Sequence, residues 1–233
     1  MKNHMSEFLV VENISKRFQP DKEVEVQALV SIDLVIGRGE FVVISGPSGS
    51  GKTTLLNIIG GLDLPSDGKI VLDGNQLSNL SETDLSRIRR DQIGFVFQAY
   101  NLLPVLTARE NIEYVMKLQG TEKEQCALRS LAVAEKLGIE TLLDKLPHQL
   151  SGGQQQRVAV ARAVASTPKL ILADEPTANL DSKSAESLID MMEKLNCDEG
   201  VTIIFSSHDP MVIAKARRSV VLKDGKLVSN ICE

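Results

Sequence analysis

The sequence predicts an α/β protein, with a mostly parallel sheet, helices packed on it and a helical lobe inserted in mid-chain. Three observations carry that prediction. Phe41-Val42-Val43-Ile44 and Leu170-Ile171-Leu172-Ala173 are short unbroken apolar runs, the mark of strands buried on both faces. After Pro168 the pattern alternates as strand Lys169–Ala173, helix Ser184–Leu195 and strand Val201–Ser206, and such alternation needs parallel pairing. From about Ser81 to Ala165 the apolar spacing becomes mostly three and four, which predicts helices.

Taken in order, Leu9–Ile14 and Val24–Ile36 read as strands. A polar, Pro-containing bend at Gln19-Pro20-Asp21-Lys22 joins them. The Phe41–Ile44 strand feeds a glycine-rich turn, and Thr53–Gly60 reads as the helix that follows. The runs 69–74 and 220–225 both end in Asp-Gly, a tight-turn signal. The expected division is one domain, 1–233, with a core of approximately 1–80 and 166–233 and a helical subdomain of approximately 81–165.

Composition narrows the functional classes. At 42% apolar and 24% charged, 233 residues suit a soluble globular protein with a substantial core. A transmembrane helix needs ~20 consecutive, mostly apolar residues, and the sequence has no such run. The first residues lead into no apolar signal core, so secretion is not expected. A net charge of −5 disfavours a polyanion-binding surface and therefore nucleic acid. Cys126, Cys197 and Cys232 lie far apart in sequence, with no metal or redox spacing, and read as reduced thiols.

The glycine-rich turn is a phosphate cradle, Gly46-Pro47-Ser48-Gly49-Ser50-Gly51-Lys52-Thr53, followed by Thr54. A phosphate chain carries several negative charges, more than one Lys neutralises. Glycines let the backbone wrap closely and present N–H groups, and the following helix adds its positive end. Lys52 then reaches the outer phosphates and the Thr53 hydroxyl helps hold Mg2+. The second half of the site is Leu170–Glu175, a strand delivering carboxylates to the end of the sheet. Asp174 is placed to hold Mg2+ directly or through its water, and Glu175 to polarise the attacking water.

A third segment, Leu150-Ser151-Gly152-Gly153-Gln154, opens a helix-forming stretch, with Ser151 as its cap. Such a cap leaves the N–H groups of Gly152 and Gly153 free and turns a positive helix end outward. With these pieces the chain resembles the ATP-binding cassette ATPases over nearly its whole length. The resemblance implies a P-loop NTPase fold with a mostly parallel core sheet, an N-terminal antiparallel β subdomain and an inserted α-helical subdomain. It makes Leu150–Gln154 the signature that meets the nucleotide of a second subunit, so that a homodimer closes on two ATP. Gln98, after Gly94-Phe95-Val96-Phe97, matches the loop whose amide senses Mg2+ and the γ-phosphate. Asn179-Leu180-Asp181 matches the loop running between the two sites, and His208 the switch histidine at the γ-phosphate. Phe18 falls where the family stacks an aromatic on adenine; that residue is usually Tyr, and Phe keeps the stacking without the hydroxyl.

Gly60-Gly61-Leu62-Asp63, Arg89-Arg90, Asn101-Leu102-Leu103-Pro104 and Gln154-Gln155-Gln156-Arg157 are similar to the bacterial LolD/MacB-type branch, with its FtsE relatives. That branch implies integral membrane permease-like subunits on a separate chain and a place on the cytoplasmic face of the membrane. The work implied is lipoprotein release, export of macrolides or peptides, or resistance to antimicrobial peptides; FtsE-like cell-wall remodelling is the alternative. Soluble cassettes acting on DNA or ribosomes carry a long coiled coil or two cassettes, which 233 residues do not accommodate. A P-loop kinase leaves the signature, Glu175 and His208 without a purpose. Two positions depart from the usual form: Ala178 stands for Gly, and Ser206-Ser207 for Val-Thr.

Overall fold

The computed structural model describes residues 7–21 and 24–232. Its first sheet is antiparallel and four-stranded, built from β1 (Glu7–Asp21), β2 (Val24–Gly37), β4 (Asp67–Leu72) and β5 (Asn75–Gln76) in the order β2-β1-β4-β5. Lys22, at the end of the expected bend between β1 and β2, lies outside the described residues, as does the N-terminus read for a signal core. The second sheet has the order β10-β9-β3-β8-β7-β6. It comprises β3 (Phe41–Ser45), β6 (Ile93–Val96), β7 (Leu170–Ala173), β8 (Thr202–Ser207), β9 (Arg218–Lys223) and β10 (Lys226–Cys232). Every pairing in it is parallel except that of β10 with β9.

Alternation along the central strands divides the core in two. Phe41, Val43, Ile171, Ala173, Ile203 and Phe205 point into one apolar cluster, together with Ile112, Val160 and Ile189 from the helices. Val42, Ile44, Leu170, Leu172 and Ile204 point the other way, against Leu9, Ile36, Leu55 and Ile59. This period of two, buried on both sides, is why the strands read as unbroken apolar runs. Each fully buried Ile or Leu contributes roughly 1.5–3 kcal/mol, so burial rather than strand length fixes these short strands.

The helices are α1 (Lys52–Ile59), α2 (Glu82–Gln92), α3 (Ala108–Leu118), α4 (Lys123–Lys136), α5 (Gly152–Ala165), α6 (Ser182–Glu199) and α7 (Pro210–Ile213). The stretch 81–165 is not helical throughout. After α2 the chain returns to the core sheet as β6, pairing with β7 from Ile93↔Leu170 to Val96↔Ala173. Four apolar residues directly behind a helix carry no period that separates strand from helix, so the sequence reading ran through them. Both Asp-Gly signals hold: Asp73 and Gly74 have φ of 47° and 80°, and Asp224 and Gly225 have 49° and 72°. Two successive positive φ values are the turn that suits a right-twisted hairpin.

Candidate nucleotide site

Because β3, β6, β7 and β8 run parallel, their C-terminal ends meet along one edge of the sheet, where ligands of open α/β sheets collect. The P-loop leaves β3, Gln98 follows β6, Asp174 and Glu175 follow β7, and His208 follows β8. They surround a cavity of about 450 Å³ whose walls include Ser48–Thr54, Gln98, Glu175, Ala178 and His208. Asp174 stands just behind it, through Thr53.

The loop holds its shape through glycine at two positions. Gly46 has φ 146°, and a Cβ there would lie 2.1 Å from the Leu222 carbonyl oxygen. Gly51 has φ 102°, and its Cβ would lie 2.7 Å from the Ala28 oxygen. Lys52 is 7% exposed; its ammonium donates to the carbonyls of Gly46 (2.9 Å) and Pro47 (3.1 Å) and lies 3.6 Å from Glu175 Oε1. The Ser50 hydroxyl is buried within the loop with no partner among the described residues.

Around the carboxylates the contacts form a chain. Thr53 Oγ1 donates to both oxygens of Asp174, at 3.1 and 2.9 Å. Ser206 Oγ donates to Asp174 Oδ1 at 2.7 Å and accepts from the Glu175 N–H at 2.8 Å. Glu175 itself has φ 46°, a left-handed backbone for a residue that precedes proline. Its two carboxylate oxygens lie 3.1 and 3.0 Å from Nδ1 of His208, whose ring is otherwise exposed. Ser206, noted in the sequence only as a departure from the usual form, thus fixes both acidic residues. Its function is long-range, between β7 and β8, and local sequence carries no signal for it.

The donor set suits Mg2+. Thr53 and Asp174 offer hard oxygen atoms side by side, and among the described residues no cluster of three His, Cys, Asp or Glu side chains competes as a softer metal cage. Mg2+ characteristically takes one or two protein oxygens and completes its shell with phosphate and water. Thr53 and Asp174 would hold the ion, which would supply positive charge against a phosphate chain. The cradle suits a phosphate equally: Gly46 and Gly51 let the loop pack against the Leu222 and Ala28 carbonyls, and the Lys52 ammonium stands in the cavity wall.

The signature stands elsewhere on the surface. Ser151 caps α5, its Oγ accepting from the Gln154 N–H at 3.3 Å while Gln154 Oε1 accepts from the Ser151 N–H at 2.9 Å. The capping box leaves Gly152 and Gly153 as the first-turn N–H donors outside it. Ser151 is exposed, and none of residues 151–154 lines the P-loop cavity. Asp181 also caps a helix: its carboxylate accepts from Ser184 N at 3.0 Å and Ser184 Oγ at 2.6 Å. Those two bonds, the hydroxyl first, hold Asp181 below the usual carboxylate range. Phe18 is 42% exposed and does not line the cavity, although its strand partner Val26 does. The Lys16 ammonium lies 4.9 Å from the Phe18 ring centroid, a cation–π contact.

Residues 29–178 match the family model described as ABC transporter. The chain belongs to the ABC transporter family. It is 46% identical over 223 residues to the uncharacterized ABC transporter ATP-binding protein MJ0796 of Methanocaldococcus jannaschii, covering 93% of this chain and 94% of that protein. Against the macrolide export ATP-binding/permease protein MacB of Marinobacter nauticus it is 47% identical over 220 residues, which is 94% of this chain and 34% of that longer protein. A solved dimeric structure of MJ0796 in a post-hydrolysis state, bound to ADP and Pi, superposes with a TM-score of 0.90 at 42% identity, covering 97% of this chain and 98% of that one. This member of the family is an ATP-binding subunit and an ATPase, with ATP and Mg2+ as its ligands.

Proposed function

We propose that two copies of the chain close on two ATP molecules, each gripped by the P-loop of one copy and the Ser151 cap of the other, and that closure drives separate membrane subunits. The observation that carries this reading is the separation of two anion-binding elements within one chain. The P-loop is walled in by its own carboxylates, whereas the α5 cap is exposed and absent from that cavity. The solved MJ0796 dimer supports pairing of two copies.

In this mechanism Lys52 and the P-loop amides hold the phosphates, and Thr53, Asp174 and the Gln98 amide serve the metal. Glu175 polarises the attacking water, and His208, already against that carboxylate, orients it and reaches the γ-phosphate. Asp181 stands between the two sites, and Phe18 offers a face to adenine beside Val26. ATP favours closure because only the closed pair contacts it from both sides. Shifting a pair from mostly open to mostly closed takes ~5.5 kcal/mol, shared between two sites. Loss of the γ-phosphate removes the cap's contact and the pair reopens.

The helical lobe, within residues 81–165, is the unit that meets the membrane subunits. An open, largely apolar groove of about 380 Å³, walled in part by Leu62, Phe95, Phe97, Tyr114 and Leu118, supports docking there. Among the described residues no helix is long and apolar enough to cross a membrane. The match to 94% of the ATP-binding protein MJ0796 supports placing the spanning part on another chain, with this one at the cytoplasmic face. The similarity to the macrolide export protein MacB supports export as the class of work, and the sequence resemblance adds lipoprotein release and peptide export to the same class.

The test is Glu175→Gln with ATP and Mg2+. Turnover is expected to fall by a factor on the order of 10²–10⁴, the usual yield of a general base. Gel filtration should show an ATP-dependent dimer. Near-normal turnover in the assembled complex would refute the role of Glu175, and a monomer at saturating ATP would refute the composite site.

A further inference from the structure

Residues 98–101, just beyond β6, are braced from three directions. Asn179 Nδ2, from the loop before α6, donates to the Gln98 carbonyl at 3.0 Å. Tyr100 and Asn101 follow with φ of 61° and 49°, two successive left-handed residues that carry side chains. L-residues avoid that region because Cβ crowds the following carbonyl oxygen, so an outside partner must hold such a turn. The partner is Arg162, near the end of α5. Its Nη1 donates to the Asn101 carbonyl at 2.6 Å and its Nη2 to the Tyr100 carbonyl at 3.0 Å.

A guanidinium is usually kept for a carboxylate or a phosphate, which match its planar fork. Here the group is largely buried. Burial alone lowers its pKa, with no carboxylate offsetting the shift among the described residues. A buried charge satisfied by two backbone carbonyls is a fixture of position, since Lys presents one point charge where Arg presents two diverging donors. The same turn touches the other end of the same helix. A Cβ added to Gly152 would lie 2.8 Å from the Tyr100 hydroxyl, so the ring rests on the first turn of α5, beside Ser151. Arg162 and Gly152 are ten residues apart, about 15 Å along a helix. The turn is therefore pinned near both ends of α5, and Arg162 also lines the apolar groove.

We infer that Arg162 is a positioning residue for ATP turnover, whose grip on the Tyr100–Asn101 turn makes the Gln98 loop and the Ser151 cap move as one body. The inference rests on the composite-site reading above and deepens it. A push on the groove reaches the cap through this strut. A cap engaged by a partner's nucleotide likewise draws Gln98 with it. Among the described residues Arg162 bonds to Tyr100 and Asn101 and not to the P-loop, so nucleotide binding by one copy does not depend on it.

The experiment uses Arg162→Lys in the full chain, alone and combined with Glu175→Gln. Expected are an unchanged urea midpoint and unchanged binding of a fluorescent ATP analogue by the monomer. The ATP concentration for half-dimerisation of the double variant should rise at least about fivefold over Glu175→Gln, the lower end of ordinary coupling between sites. The single variant should lose kcat rather than affinity. Half-dimerisation and kcat equal to the parent proteins overturn the inference, as does a loss that merely follows the unfolded fraction. Failure of Glu175→Gln itself to dimerise refutes the underlying reading instead. If Arg162→Lys does not fold, Arg162→Gln, whose amide can donate to one of the two carbonyls only, decides by the same two readouts, and parental half-dimerisation and kcat overturn the inference.

Discussion

The P-loop side and the signature side of this chain differ in how completely each is satisfied within one copy. On the first, Lys52, Asp174, Glu175 and His208 each contact another member of the set or its supporting serine. On the second, Ser151 bonds, among the described residues, only to its own helical turn and is exposed. Charged groups gathered at one sheet edge must satisfy one another before any ligand arrives, since an uncompensated buried charge costs several kcal/mol. A capped helix end carries only partial charge and needs no such enclosure. The difference teaches that one site is organised by intrachain chemistry, whereas the position of the other is set by whatever holds α5.

The comparison breaks first, and hardest, at Gly46. Gly46→Ala places a Cβ 2.1 Å from the Leu222 oxygen at φ 146°, so the loop must shift. We expect a cost of about 3 kcal/mol or more, with nucleotide affinity reduced beyond tenfold. Urea unfolding and titration with a fluorescent ATP analogue measure both, and wild-type affinity would show the cradle is not rigid. On the other side, Ser151→Arg should cost only about 1 kcal/mol through the lost cap. It should leave nucleotide binding by a monomer intact while abolishing ATP-dependent pairing in gel filtration. Loss of monomer binding would mean that the two sides are not separate.

The smallest effect concerns the tie between α4 and the end of α6. Glu199, at the end of α6, meets Lys136 and Arg129 of α4, the latter at 3.1 Å. The Lys136 bond, opposed by burial and aided by Arg129, holds the Glu199 carboxyl below its ordinary value of 4.5. A folded value below the unfolded one adds stability that is full above pH ~4.5 and fades as pH falls through the folded value. Glu199→Gln should therefore destabilise by about 1 kcal/mol or less at neutral pH, because solvent reaches the pair. The deficit should vanish in acid, and a difference that persists unchanged to low pH would exclude the ion pair as its source.

Most of the fold was legible because its signals are local. Asp73-Gly74 and Asp224-Gly225 announce positive φ in their own residue types, and the period-two burial of Phe41–Ile44 follows from its composition. β6 was not legible, because Ile93–Val96 is four residues long and inherits the pattern of α2 before it. At the site, the glycines, Lys52 and Asp174 were readable from spacing alone. The support given by Ser206, the grip of Arg162 on Tyr100 and Asn101, and the Asn179 bond to Gln98 were not. Each joins segments 31 to 81 residues apart, and only the assembled sheet brings them together.

The left-handed backbone at Glu175 carries one more consequence. Glycine would occupy that conformation without crowding its own carbonyl, so the carboxylate sits where a relaxed chain would discard its side chain. Breeding this protein for heat resistance alone would press on the very peptide that breeding for turnover would defend. On the proposed role of Glu175, endurance and work compete at a single dihedral angle.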